Sequence, residues 1–562
     1  MSKIKCSLQD PFPVERLASV NLGSMDGHRD PLVEKGFIQT KSVNKFLQDR
    51  HAIIIGPFGS GKSALFNLLR NKSDLFKKYQ NDLIVTIDEQ IQFEELREAS
   101  KTYFPNLSEG LSFQLLWKFQ VCRRISEELA KLDRFPFNDE EKYISEFIAR
   151  TGGIGGYLSI TSRIKQLFEK VSLKIKTKLS DIPVDVELSK ETEKATKRVY
   201  LNLDEVVTKA VHIIKSRSIR KCTVIIDKLD KFVAGEDYGT QRAYIESLIK
   251  LEDDLYGLDQ IGFKIFIRSD LYERLDFSAL GPDKVEDNTL RLVWSKEEIR
   301  KFLARRLFIS IHEIGVWNIR DIIDSSDISE YHLRWYEKVI LDDEKNSIKY
   351  KLAHLYNKNF GRKRNKTSFF EKIDLIVINK LFEKNLVHEC PNGTEKLIQN
   401  HEFFDTHFLD GNDSCTPRYI LVFLKELIDE ANEYYLNSPD VFVTPVLSGS
   451  DWVYNLFSQH IAYRAYIQSK EKYIRHVSKV DDRWTSQIME FLEKQGNKGT
   501  FDYKWIRSNI SFQEDERTNS LTLLIYLQVI GFLRVKQYSP DIRKRTFEMP
   551  VLYKSARGSV RC

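Results

Sequence analysis

Cysteine is scarce in this chain. The six present, Cys6, Cys122, Cys222, Cys390, Cys415 and Cys562, are scattered over 562 residues and form no C-x-x-C pair. That spacing argues against a disulfide framework and a zinc site, and suits free thiols in a reducing compartment. Long apolar runs are missing too. No stretch approaches the ~18 residues of a membrane span, and no apolar run follows the basic start. The expectation is a cytoplasmic protein with no membrane partner. Nor does one sign of charge dominate: 87 Lys and Arg against 81 Asp and Glu leave a net +6. So small a balance permits an anionic partner without demanding one. Aromatic residues, at 12%, are plentiful enough to argue for packed domains over long disordered tails. The length suits about three to four such domains.

The most informative stretch runs from His51 to Arg70. A β-branched run, Ile53-Ile-Ile55, breaks into Gly56-Pro57-Phe58-Gly59-Ser60-Gly61-Lys62-Ser63 and then into the helical pattern Ala64 to Arg70. This is G-x-x-x-x-G-K-S in the strand–loop–helix context that a P-loop requires. The glycines let successive backbone N–H groups turn inward around a triphosphate, and the helix N-terminus adds its partial positive charge. Residues 56–64 are therefore the expected contacts of ATP, with Lys62 on the β- and γ-phosphates and Ser63 on Mg²⁺.

A second buried-strand run, Cys222-Thr-Val-Ile-Ile226, ends in Asp227-Lys-Leu-Asp230. A carboxylate at a strand tip is what the other half of a magnesium–nucleotide site needs, which makes Asp227 the second metal-site candidate beside Ser63. A third run, Gly262 to Ile267, ends in Arg268-Ser269-Asp270. Ligands of doubly wound sheets sit at the C-terminal strand ends, so Arg268 is expected in the same crevice. A strand is also predicted at Leu83–Ile87, and helices over 112–129 and 204–216. Period-two alternation over Val171–Leu179 predicts a strand, with Pro183–Leu188 as its hairpin partner. The run Gly152–Gly156 reads as a flexible joint. Asp227-Lys-Leu-Asp230 superficially mimics the guanine-reading N-K-x-D. Asp in place of Asn loses the amide donor, and no D-x-x-G lies between the P-loop and this segment; ATP is the expected nucleotide.

The order of these elements, followed by Leu292-Val-Trp294-Ser295-Lys-Glu-Glu-Ile299 and Thr416-Pro417-Arg418-Tyr-Ile-Leu421, resembles the STAND and origin-recognition branch of AAA+-type ATPases, close to the KAP and NACHT groups. The resemblance covers roughly residues 30–130 and 220–440. It implies an α/β P-loop NTPase of ASCE/AAA+-like type, with a parallel sheet, a helical lid and ATP-driven switching. It also implies roles: Asp227 on Mg²⁺, Asp230 polarising the attacking water, Arg268 reading the γ-phosphate. Pro417 would lie near the base and Arg418 near the phosphates. Lys228 and Lys231 stand where many relatives carry acids, so hydrolysis is expected to be slow, or absent in a scaffold that only holds ATP. A homo-oligomer or a separate effector protein is the implied partner, in bacterial defence against phage or in signalling.

The expected domains are a segment at 1–48, an ATPase core at 49–310 with an insertion at about 135–200, a lid at 311–440, and a linker with a winged-helix-like domain at 441–562. The lid holds an insertion at about 320–400 with the basic cluster Arg362-Lys-Arg364-Asn-Lys366, read as a solvated loop or a phosphate contact. In the last domain, helices over 484–494, 503–509 and 518–530 precede strands over 532–535 and 547–553, the winged-helix order. Its third helix is apolar, and the basic residues sit in the wing and tail: Arg534, Lys536, Arg543, Lys544, Arg545, Lys554, Arg557 and Arg561. That arrangement favours partner docking over base reading, and allows non-specific contact with nucleic-acid phosphates, as in an initiator or loader ATPase.

Overall fold

The computed structural model describes residues 12–554 apart from 88–105, 152, 154–171, 180–181, 189–197, 233–236, 279, 315–374, 390–394, 439, 442, 444–445, 449–450, 497 and 513–518. The cluster Arg362–Lys366, most of the Gly152–Gly156 joint, and Arg557 and Arg561 lie outside the described residues. The chain divides into two compact units. One comprises residues 41–57 and 62–292; the other comprises 1–40, 58–61 and 293–562.

The first unit runs α1 (Lys41–Phe46), β1 (Ile53–Gly56), α2 (Lys62–Arg70), β2 (Leu83–Ile87), α3 (Glu109–Leu129) and α4 (Asp139–Arg150). Next come β3 (Ser172–Leu179), β4 (Ile182–Leu188), β5 (Arg198–Asn202), α5 (Leu203–Ser216), β6 (Cys222–Ile226) and α6 (Leu229–Phe232). It closes with α7 (Tyr238–Leu255), β7 (Ile261–Arg268), α8 (Ser269–Tyr272), α9 (Pro282–Asp287) and β8 (Thr289–Arg291). Five strands form a sheet of order β2-β6-β7-β1-β8, with every pair parallel. This is a parallel α/β sheet, the architecture that the sequence leads one to expect of an α/β P-loop NTPase.

Near-continuous apolar strands are what a sheet covered on both faces demands. Ile53, Ile55, Val224, Ile226, Ile265 and Ile267 share one core with Phe113, Trp117 and Leu248 of α3 and α7. Side chains alternate along a strand. Phe266 accordingly meets Phe46 of α1 and Phe66 of α2, with ring centroids 6.3 Å apart in both pairs. The predicted hairpin is present, with β3 antiparallel to β4 from Leu173↔Leu188 to Leu179↔Ile182. Its third strand, β5, lies parallel to β3.

The second unit contains α10 (Lys296–Glu313), β9 (Asn385–Glu389), β10 (Glu395–Gln399), α11 (Asn400–His407), α12 (Pro417–Leu436), β11 (Val446–Ser448), β12 (Asp451–Val453) and α13 (Gln459–Ser478). It continues with α14 (Thr485–Lys494), β13 (Phe501–Asp502), α15 (Tyr503–Asn509), α16 (Ser520–Val529), β14 (Arg534–Gln537) and β15 (Thr546–Glu548). Helix α10 starts in a capping box between Ser295 and Glu298, satisfying two of the backbone donors that a helix start orphans. Strands β13, β15 and β14 form one small antiparallel sheet beside α14–α16.

A tight junction joins the loop before α12 to the end of α16. The Asp410 side chain, buried, accepts from the Asn412 and Ser414 amides at 2.9 and 3.0 Å. Gly411 N–H donates to Gly531 O at 2.6 Å. Arg534 closes the junction with a 2.6 Å bond to Asp413. Gly531 has φ +73°, and a Cβ there would stand 2.7 Å from the Asp410 carboxyl, so only glycine fits.

Candidate nucleotide site

The loop after β1 needs positive φ at two points, and glycine supplies both: Gly59 at +83° and Gly61 at +97°. Gly59 is held by a second constraint. A Cβ there would lie 2.6 Å from Cβ of Arg418, at the start of α12. Within the same unit the Arg418 guanidinium stacks 4.0 Å over the Phe58 ring, and donates to Met25 O at 3.2 Å. Trp294 Nε1 donates to Ser60 O at 2.8 Å. Pro417 is the first residue of α12, after Thr416 as cap, where proline's missing N–H costs no helical bond.

In the sheet unit Lys62 opens α2 and turns its ammonium back onto its own loop, donating to Gly56 O at 2.7 Å and Pro57 O at 2.9 Å. Burial pushes its pKa down to about 8, while Asp227 and Asp230 hold the charge in place. Asp227 directly follows the buried strand β6 and is itself buried. Lys228, next in line, is left-handed at φ +64°. That conformation costs a non-glycine residue about 1–2 kcal/mol. It turns the chain sharply from β6 into α6, which carries Asp230.

Arg268 is the register partner of Gly56 across the β1–β7 pair, which puts it at the P-loop end of the sheet. Its guanidinium is bidentate on Asp270 at 3.0 and 2.7 Å, and reaches Asp230 at 3.3 Å. Lys62, Asp227, Asp230, Arg268 and Asp270 thus form one electrostatic cluster. Ser63 and Ala64 follow Lys62 in the first turn of α2.

The sequence motifs do not announce Asp270 as the clamp on Arg268, or Trp294 as a contact of the loop, and they name Phe58 as a nucleotide contact without its stacking under Arg418. The Arg268–Asp270 pair is two residues apart across a strand-to-helix turn, so its signal lay in the polar triplet but its geometry did not. Among the described residues no cluster of three or more His, Cys, Asp or Glu could hold a metal alone. Ser63 and Asp227, a hydroxyl and a carboxylate, have the oxygen donor chemistry that Mg²⁺ takes.

No family model matches the chain, and no curated protein matches it. Among solved structures it is similar to the crystal structure of Cdc6p from Pyrobaculum aerophilum, at 10% identity and a TM-score of 0.23, over 91% of this chain and 90% of that one.

Proposed function

We propose that the protein is a regulatory ATPase of AAA+-like type that binds Mg·ATP at the loop 56–64 and hydrolyses it slowly. The observation that carries this reading is the cluster of Lys62, Asp227, Asp230 and Arg268 at the C-terminal end of a parallel sheet whose β1 leads into a glycine loop with the required positive φ angles. Bound Mg²⁺ would supply charge neutralisation on the phosphates. The chain's own residues do the rest. Lys62 exchanges two loop carbonyls for phosphate oxygens. Asp227 and Ser63 hold the ion. Arg268, drawn toward a γ-phosphate, loosens its hold on Asp230 and leaves that carboxylate able to orient water.

Such an exchange ties the activity of Asp230 to nucleotide occupancy, which suits a switch better than a rapid hydrolase. Helix α12, whose Arg418 covers Phe58, would carry the change into the C-terminal helices of its own unit. Colorimetric phosphate release from Mg·ATP, with the Lys62→Ala chain as control, tests the reading. Turnover that survives that change, or no ATP binding by the unaltered chain, would overturn it.

A DNA-associated role has one observation in its favour. Lys536, Arg543 and Lys544 are exposed on the winged-helix-like end and make no ion pair among the described residues. Arg534 and Arg545 are engaged elsewhere, with Asp413 and with Gln528. Three such cations suit weak, sequence-indifferent binding to phosphates. A filter-binding titration against salt tests it, and a flat salt profile would sink it.

A further inference from the structure

The sheet has a second polar end. Opposite the P-loop, about 15 Å away at roughly 3.3 Å per strand residue, the starts of β1, β6, β7 and β8 surround a cavity of about 480 Å³. That is within the range of about 300–1,000 Å³ for small-molecule sites. Its polar walls include Arg50, His51, Lys221, Glu252, Lys264 and Asn288, and its apolar wall is Leu255, Leu258 and Phe263, with Tyr256 beside them.

The charges there are unevenly satisfied. Lys264 is already used, paired with Asp49 at 2.9 Å and bonded to His51 O at 2.5 Å. Arg50 and Lys221 make no side-chain hydrogen bond or ion pair among the described residues. The Nδ1 atom of His51 is buried with no partner among them. Glu252, buried, takes the Asn288 amide at 2.8 Å, and burial raises its pKa to about 7, so near neutrality it offers a proton as readily as a charge. Asp259, exposed at the rim, is an opposing carboxylate with no ion pair among the described residues.

Lys221 is also seated. Its side chain lies across Gly262, where a Cβ would stand 2.2 Å from Cε and 2.4 Å from Nζ. A glycine in the strand lets the ammonium lie over the cavity floor.

We propose that this cavity binds a small organic phosphate, with the phosphate on Lys221 and Arg50, a hydroxyl or phosphate oxygen on Glu252 and His51, and the carbon skeleton against Leu255, Leu258 and Tyr256. The site is distinct from the nucleotide loop, at the other end of the same strands. A ligand there would touch the bases of β6 and β7, whose tips carry Asp227 and Arg268.

Calorimetric titration of the Lys62→Ala chain, in which the P-loop lacks its cation, tests this with inorganic phosphate and with phenyl phosphate. Both should bind saturably, phenyl phosphate the more tightly because of the apolar wall. Lys221→Met should weaken both at least tenfold. Gly262→Ala should do the same by unseating Lys221 with its charge kept, and decides the matter if Lys221→Met fails to fold. With Lys62 intact, Lys221→Met should leave Mg·ATP affinity unchanged, which separates this site from the nucleotide reading. No saturable binding at millimolar concentrations, or binding that both substitutions leave untouched, would overturn the proposal.

Discussion

At Lys62 the ammonium is held by its own loop, through the Gly56 and Pro57 carbonyls. Its folded pKa of about 8 lies below the lysine value of 10.5. Below pH 8 the lysine is charged in both folded and unfolded states and the folded protein bears the full cost of burying that charge, a cost relieved as pH rises from 8 toward 10.5. A bound triphosphate reverses the preference. ATP binding at pH 8–9 should then take up protons and weaken as pH climbs through this window; calorimetry in buffers of different ionisation enthalpy measures the uptake. On the proposed reading, Asp227 and Asp230 have separate roles. Asp230→Asn should keep Mg·ATP binding and lower turnover by on the order of 10²–10⁴, whereas Asp227→Ala should weaken magnesium-dependent binding itself. Equal binding losses in both would reverse the assignment. Lys228→Gly should relieve the left-handed turn and raise stability by about 1 kcal/mol or less, read from the denaturation midpoint.

Among elements, the loop between β1 and α2 has the least latitude. Gly59→Ala meets both a positive φ and the Arg418 Cβ at 2.6 Å. It should cost more than the about 1–2 kcal/mol of a left-handed alanine and remove ATP binding, as fluorescent-nucleotide titration would report. This loop, β6 (Cys222–Ile226) and β2 (Leu83–Ile87) were legible in the sequence: the loop by its glycine motif, the strands because a parallel strand reads as a mostly apolar run, broken here only by Thr223 and Thr86. Helix α15 (Tyr503–Asn509) was legible too, with Asp502 capping it. Strand β8, only Thr289–Arg291, is too short to show a period. Helix α7 carries a usable stripe in Tyr244, Leu248, Leu251 and Leu255, but no motif draws the eye to it. The site was half legible. Motifs name the groups expected to meet a ligand, Phe58 among them, while Asp270 and Trp294 hold their partners through contacts that only the fold creates.

For the molecule as a whole, the exposed cations on β14 and in the turn that follows it separate the two readings of function. Reversing Lys536, Arg543 and Lys544 together should leave ATP turnover nearly unchanged. If DNA is bound at all, the same change should flatten the salt dependence of its affinity by roughly one unit for each phosphate no longer neutralised. A tight, sequence-selective complex at physiological salt that collapses on this change would favour the DNA-associated ATPase. A different consequence follows from the junction of Asp410, Gly411, Gly531 and Arg534. The loop that launches α12, and with it the arginine that covers Phe58, is moored to residues more than a hundred positions later in the chain. A nonsense or frameshift mutation after codon 528 would therefore surface in a genetic screen as a nucleotide-binding defect, and complementation with the missing tail as a separate polypeptide would not be expected to repair it.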